Sequence, residues 1–137
     1  MKGDKIYFAA GFKYQLQSPY RVQTDILPDA DVITDYVLLG TTGMLSILAG
    51  FAWDGASGIP DTPQVMRASL AHDALYGLIR AGEIPETWRE RADNLLRSIC
   101  LEDGMEHFRA EAVYQGVRIF GDPHAAREKF KPVIEAP

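Results

Sequence analysis

The chain has 137 residues, of which 47% are hydrophobic, and a formal net charge of -5 at pH 7. This length and composition predict one globular domain whose core needs neither a disulfide nor a metal. The negative charge argues against a nucleic-acid partner, because phosphate backbones are bound by clustered lysine and arginine side chains.

Cysteine content and hydropathy limit where the chain is expected to work. The single cysteine, Cys100, cannot form a disulfide within the chain. The N-terminal residues lack the apolar run of a signal peptide, and no stretch approaches the roughly 20 apolar residues of a membrane-spanning helix. We therefore expect synthesis and folding in a reducing cytoplasm.

The first third of the chain is predicted to form a small antiparallel sheet. Polar residues alternate with β-branched and aromatic ones in Lys13 to Gln17, Tyr20 to Leu27 and Val32 to Leu39. Between residues 36 and 50, two apolar arms flank Thr41-Thr42-Gly43, which predicts a hairpin whose turn uses the positive φ of glycine. Residues 1–52 are thus expected to be a β-rich subdomain.

After this region the hydrophobic period changes to about 3.6, which predicts helices. Thr62 and Pro63 begin a helix that runs to about Arg80 and closes at Gly82. A second helix is expected from about Glu86 to Gly104 and a third from about Glu106, with a short fourth after Asp122-Pro123. The inward faces are predicted to hold Trp88, Ala92, Leu95, Leu96 and Ile99 on the second helix, and Ala110, Val113, Tyr114, Val117 and Phe120 on the third.

The predicted fold class is therefore α+β, with a sheet of hairpins followed by a three-helix core. Within a single domain, residues 53–121 form an acidic loop and the helical core, and residues 122–137 form a short helix and tail.

Chemistry-bearing residues concentrate where the acidic loop Trp53 to Asp61 leads into the first helix. That helix carries His72, Asp73 and Tyr76, and the four-residue spacing places the histidine and the tyrosine on one face. A neutral histidine is a suitable proton acceptor near pH 7, and carboxylates with backbone carbonyls suit a hard cation such as calcium. The combination predicts metal-assisted hydrolysis.

These motifs resemble those of the secreted phospholipase A2 enzymes of the prokaryotic and fungal type. The residues from Asp54 to Asp61 resemble the family's loop Asp-x-Cys-Thr-x-x-Pro-Asp, and those from Ser69 to Tyr76 resemble its helix Cys-x-x-His-Asp-x-x-Tyr. Asp93 takes the place of a second aspartate, and the stretch from Tyr114 to Gly121 resembles Tyr-x-x-Val-Lys-Ile-Phe-Gly. A phage-borne family of unknown function has a similar Gly-Phe-x-x-Asp-x-x-Ser loop before a His-Asp helix.

The resemblance implies a calcium-dependent hydrolysis of a glycerophospholipid ester, with a phospholipid or membrane surface as the partner. His72 would be the general base, with Asp93 and Tyr76 holding it in place. Calcium would be bound by the carboxylates of Asp54 and Asp73 and by the carbonyl of Gly55. The chain departs from the enzyme pattern where the family's disulfide-forming cysteines fall on Ala56 and Ser69, which weakens the expectation of a rigid calcium loop.

Several of these residues also have a purely structural interpretation. Asp93 lies four residues from both Arg89 and Arg97, and an exposed ladder of ion pairs is as well supported as a contact with His72. Asp73 has Arg67 as an alternative partner. Asp61 is interpreted as a turn residue. Phe51 and Trp53 are either lipid-facing anchors or core residues, and His107, His124 and Cys100 are assigned to solvent or core.

Three other functions compete with the hydrolase. The first is a catalytically inactive virion or tail component that has the same fold and contacts other phage particle proteins. The second is a metal-dependent phosphohydrolase, which is disfavoured because no histidine precedes His72. The third is an inhibitor of host defence, for which no residue gives evidence. The oligomeric state is left open.

Overall fold

The computed structural model of the protein describes residues 14–55 and 62–122. The chain divides into two compact units, one comprising Met1–Asp54 with Arg127–Pro137 and the other Gly55–Ala126. Antiparallel strands make up the described part of the first unit and three helices that of the second, so the predicted α+β class is confirmed. The predicted fourth helix, Asp61 and His124 lie outside the described residues.

The described part of the first unit contains six short strands in two antiparallel sheets. Strands β1 (Tyr14–Gln15) and β6 (Ala52–Trp53) form a two-stranded pair. The other four strands pair in the order β2-β5-β4-β3, and their bounds are Tyr20–Gln23 for β2, Val32–Ile33 for β3, Val37–Leu39 for β4 and Met44–Ile47 for β5. Along β4 and β5, alternate side chains are buried because successive residues of a strand point to opposite faces.

The predicted hairpin is the connection between β4 and β5. Gly43 has φ +94°, and its N–H donates to the carbonyl of Gly40 at 2.9 Å. A side chain at this position would collide with the backbone oxygen of Thr24. The turn therefore requires glycine for both its conformation and its space.

Two of the predicted strands are shorter than expected. The strand predicted for Val32 to Leu39 is two strands, because Thr34 closes a turn between them. Its hydroxyl donates to the carbonyl of Val37 at 2.8 Å and accepts from the N–H of Val37 at 3.0 Å. Such local side-chain bonds compete with a continuous ladder. Likewise β2 stops at Gln23, since the Thr24 hydroxyl accepts from the N–H of Ile26 at 3.0 Å.

The described part of the second unit consists of helices α1 (Pro63–Arg80), α2 (Arg89–Glu102) and α3 (His107–Phe120), with a short 3-10 helix, Glu86–Trp88, leading into α2. Pro63 occupies the start of α1, where its missing N–H has no cost. Gly82 and Gly104, with φ +78° and +98°, follow the ends of α1 and α2, as predicted. The helix α2 packs against both α1 and α3.

The helix interiors largely follow the predicted apolar faces. In α2, Ala92, Leu96 and Ile99 are buried, and in α3 Ala110, Val113 and Val117 are buried. The prediction was wrong for Phe120, which is 74% exposed at the last position of α3. Among the described residues, no helix combines the length and apolar character needed to cross a membrane.

Candidate functional site

A buried polar cluster lies between the helices of the second unit. His72 and Tyr76 come from α1 and are each 4% exposed, and Asp93 comes from α2 and is fully buried. The two α1 side chains are one helical turn apart, and their rings are in contact with a centroid separation of 4.1 Å. A buried carboxylate needs compensating donors, so the partners of Asp93 determine what this cluster can do.

One oxygen of Asp93 accepts two short hydrogen bonds. Its Oδ1 is 2.6 Å from Nε2 of His72 and 2.6 Å from the hydroxyl of Tyr76. An ionised carboxylate can only accept, so Nε2 must carry a proton. In a neutral imidazole with its proton on Nε2, the other ring nitrogen, Nδ1, holds the lone pair and is the basic atom of the ring.

Two arginines complete the cluster on the side of α3. Nη1 of Arg118 donates to Oδ2 of Asp93 at 2.7 Å. Nε of Arg89 donates to the Tyr76 hydroxyl at 3.0 Å and lies 3.9 Å from the same Oδ2. Asp93 therefore accepts hydrogen bonds from three side chains while a second guanidinium lies close by.

The pKa values in the cluster are shifted by these contacts. Burial, the largest influence, raises the pKa of the Asp93 carboxyl, but the hydrogen bond and charge of His72 and the hydrogen bonds of Tyr76 and Arg118 together lower it below its ordinary value. Burial and then the hydrogen bond to Asp93 raise the pKa of the Tyr76 hydroxyl above its ordinary range. At neutral pH the cluster therefore contains an ionised carboxylate and a neutral phenol.

The structure decides between the two interpretations of Asp93. The predicted approach of Asp93 to His72 is confirmed by the 2.6 Å contact. The exposed ladder was wrong, because Asp93 is fully buried and Arg97 instead donates to Glu111 and Asn94, each at 2.7 Å. The burial of Asp93 explains why it contacts these donors, since a carboxylate removed from water is stabilised more by three fixed hydrogen-bond donors than by one flexible ion pair.

The predicted calcium ligands are distributed over both units. Asp54 ends the first unit just after β6, Gly55 begins the second with φ +92°, and Asp73 is half-buried on α1. Among residues 14–55 and 62–122, no three histidine, cysteine, aspartate or glutamate side chains come together to hold a metal. Calcium binding therefore stays a prediction.

The remaining residues singled out in the sequence are mostly structural. Trp53 is 6% exposed, and its ring lies 5.4 Å from that of Tyr14 and 6.4 Å from that of Phe51, so it is a core residue rather than a surface anchor. Cys100 is buried on α2 and His107 is exposed at the start of α3. Arg67, the alternative partner of Asp73, donates to Glu102 and Asp103.

Sequence reasoning missed Arg118 as a member of the cluster. Arg118 lies in the stretch that resembles the family's Tyr-x-x-Val-Lys-Ile-Phe-Gly, beside the buried Val117, and this position was the available signal. Arg89 was considered only as an exposed partner of Asp93. Neither its contact with Tyr76 nor the approach of α3 follows from helical spacing within α2.

The comparisons with known proteins add no relative. No protein-family model, curated protein or solved structure matches the chain. The function is therefore inferred from the geometry of the cluster and from the resemblance of its motifs.

Proposed function

We propose that the protein is a calcium-dependent hydrolase of phospholipase A2 type, in which His72 activates water against a glycerophospholipid ester. The observation that carries this proposal is the shared oxygen of Asp93, which lies 2.6 Å from both Nε2 of His72 and the Tyr76 hydroxyl. This arrangement supplies a histidine with a fixed tautomer and a carboxylate behind it, as a general base requires.

The reaction would use the free lone pair of Nδ1. Nδ1 takes a proton from a water molecule while the water oxygen bonds to the ester carbonyl carbon. Collapse of the tetrahedral intermediate breaks the bond between that carbon and the alkoxy oxygen, and the imidazolium returns its proton to the leaving alkoxide. The products are a fatty acid and a lysophospholipid, and the negative charge of Asp93 stabilises the imidazolium between these steps.

The calcium requirement is supported by the resemblance of Asp54, Gly55 and Asp73 to the family's ligands. Their chemistry is suitable, because calcium prefers carboxylate and carbonyl oxygens. The proton transfers are assigned to His72 alone, which is not one of these ligands.

A hydrolysis assay with matched histidine variants tests this function. Purified protein is incubated with glycerophospholipid vesicles in calcium or in chelator, and released fatty acid is measured. We expect calcium-dependent release that falls about 100-fold or more in His72→Gln. His107→Gln, which changes an exposed histidine outside the cluster, should retain the wild-type rate. Absence of hydrolysis by the wild type in calcium, or full activity of His72→Gln, would refute the proposal.

A second candidate is an inactive relative that works as a contact module in a phage particle. The burial of His72, 4% exposed, favours it, because hydrogen-bonded interior histidines are commonly structural. The sheet also offers an apolar contact surface, with a depression of about 300 Å³ lined in part by Ile33, Leu38 and Met44, of which Ile33 is 73% exposed. A wild-type protein that lacks hydrolysis but co-purifies with assembled particles would support this alternative.

A further inference from the structure

Arg118 is the more exposed of the two arginines that complete the buried cluster. Its side chain is 31% exposed, whereas that of Asp93, to which it donates at 2.7 Å, is fully buried. The positive charge that compensates the buried carboxylate therefore comes from the last turn of α3, 25 residues along the chain from Asp93.

Arg89 fixes the turn on which Arg118 is located. Its Nη2 donates to the backbone carbonyls of Val117 and Arg118 at 3.1 and 3.0 Å, while its Nε donates to the Tyr76 hydroxyl. The last carbonyls of a helix lack partners within the helix; that of Val117 also accepts from the N–H of Gly121 at 2.9 Å, and the guanidinium bonds that of Arg118 as well. One arginine of α2 thus connects the end of α3 to the phenol of α1.

The charge of Arg118 bears on the proton of His72. Arg118 is the cation that hydrogen-bonds Oδ2, whereas Nε of Arg89 lies 3.9 Å from that oxygen. Without the hydrogen-bonded charge, burial would shift the balance toward the protonated form of Asp93. A protonated carboxyl can donate to Nε2, and the imidazole proton would then reside on Nδ1, the nitrogen that a general base must keep unprotonated. An ionised Asp93 accepts only, and it permits one tautomer.

We infer that Arg118 is a positioning residue, whose ion pair with Oδ2 holds the carboxylate of Asp93 against His72 and so keeps the ring proton on Nε2. The end of α3, held by Arg89, is then a structural part of the site. The consequence for hydrolysis rests on the proposed function, but the tautomer itself does not.

Nitrogen-15 NMR of the histidine ring tests the inference without any substrate. The wild type should show a protonated Nε2 and an unprotonated Nδ1 for His72. In Arg118→Met and Arg118→Gln, which remove the charge, the two nitrogen shifts should move toward each other as both tautomers become populated. Arg118→Lys, which keeps the charge, should restore the wild-type pattern.

Arg97→Met is the matched control. Arg97 also connects α2 to α3, through Glu111 at 2.7 Å and by stacking 3.9 Å from the centre of the Tyr114 ring, but it does not bond to Asp93. The Arg97→Met variant should have a lower free energy of unfolding but the same His72 tautomer as the wild type. If folded Arg118→Met or Arg118→Gln keeps the wild-type tautomer, the inference is overturned. If neither neutral variant folds while Arg97→Met does, Arg118 is purely structural and the inference is also overturned.

A kinetic arm separates this inference from the proposed function. If the wild type hydrolyses phospholipid, the neutral Arg118 variants should lose about 10- to 100-fold in kcat with little change in KM, and Arg118→Lys should recover part of the rate. An unchanged kcat in folded neutral variants would contradict the role of Arg118. A wild type without hydrolysis would defeat the proposed function, while the tautomer measurement would still decide the role of Arg118.

Discussion

Replacing Asp93 with asparagine should destabilise the protein strongly at neutral pH. The carboxylate is fully buried and accepts from His72 and Tyr76 at 2.6 Å and from Arg118 at 2.7 Å. An asparagine of the same shape has only one acceptor oxygen, so its amide group must point toward at least one of these donors.

The expected loss follows from the charges left behind. Each hydrogen bond to a charged group contributes about 1.5 to 3 kcal/mol, and breaking a buried ion pair by removing one partner typically costs about 3 to 5 kcal/mol. We therefore expect Asp93→Asn to lower the free energy of unfolding by about 3 to 5 kcal/mol, a large part of the roughly 5 to 15 kcal/mol of an ordinary domain.

The difference in the free energy of unfolding between the wild type and Asp93→Asn should also depend on pH. The pKa of Asp93 is lowered in the folded state from an ordinary value of 3.8. The stability contributed by its ionised form is therefore complete above that ordinary value and is lost as the pH falls through the lower folded value. Because the protonated carboxyl and the amide are both neutral, the free energies of unfolding of the two proteins should become more similar in acid.

Urea unfolding of both proteins at about pH 7 and about pH 2.5 measures these effects. Asp103→Asn is the control, since Asp103 accepts two bonds from Arg67 but its side chain is 25% exposed, and its loss should cost about 1 kcal/mol or less. A cost below about 1 kcal/mol for Asp93→Asn at neutral pH, or a difference that persists unchanged in acid, would show that Asp93 is not the ionised centre of the cluster.

Three further outcomes are expected. Tyr76→Phe removes a buried hydroxyl that both donates and accepts, and it should cost about 1 to 3 kcal/mol in urea unfolding; a neutral effect would contradict the network. Cys100 should react with a thiol reagent at pH 8 at least about a hundredfold more slowly than an unfolded thiol, because burial raises its pKa from 9.0 to about 11, and rapid labelling of the native protein would be inconsistent with this. Gly43→Ala should destabilise by more than about 1 kcal/mol, since the residue has φ +94° and no space for a side chain, whereas Gly82→Ala, at φ +78° but in open space, should cost less; equal costs would remove the steric argument.

Local sequence signals determined the helix boundaries and the part of the candidate site that lies on α1, His72 and Tyr76. Proline at the start of α1 and glycines after α1 and α2 act through their own backbone preferences, which do not depend on distant residues. The common face of His72 and Tyr76 follows in the same way from the geometry of one helical turn. The α+β class was predictable because the hydrophobic period changes from two to 3.6 near Thr62.

Tertiary structure decided what Asp93 contacts. By helical spacing alone, Arg89 and Arg97 were equally good partners for Asp93. Only the packing of α2 between α1 and α3 buried the carboxylate and placed it against His72. The same packing brought in Arg118 from another helix and left Phe120 in solvent. Periodicity within one helix specifies which residues share a face, but what that face contacts depends on how separate helices pack. The charge balance of a buried site is therefore determined only by the packing of the helices that form it.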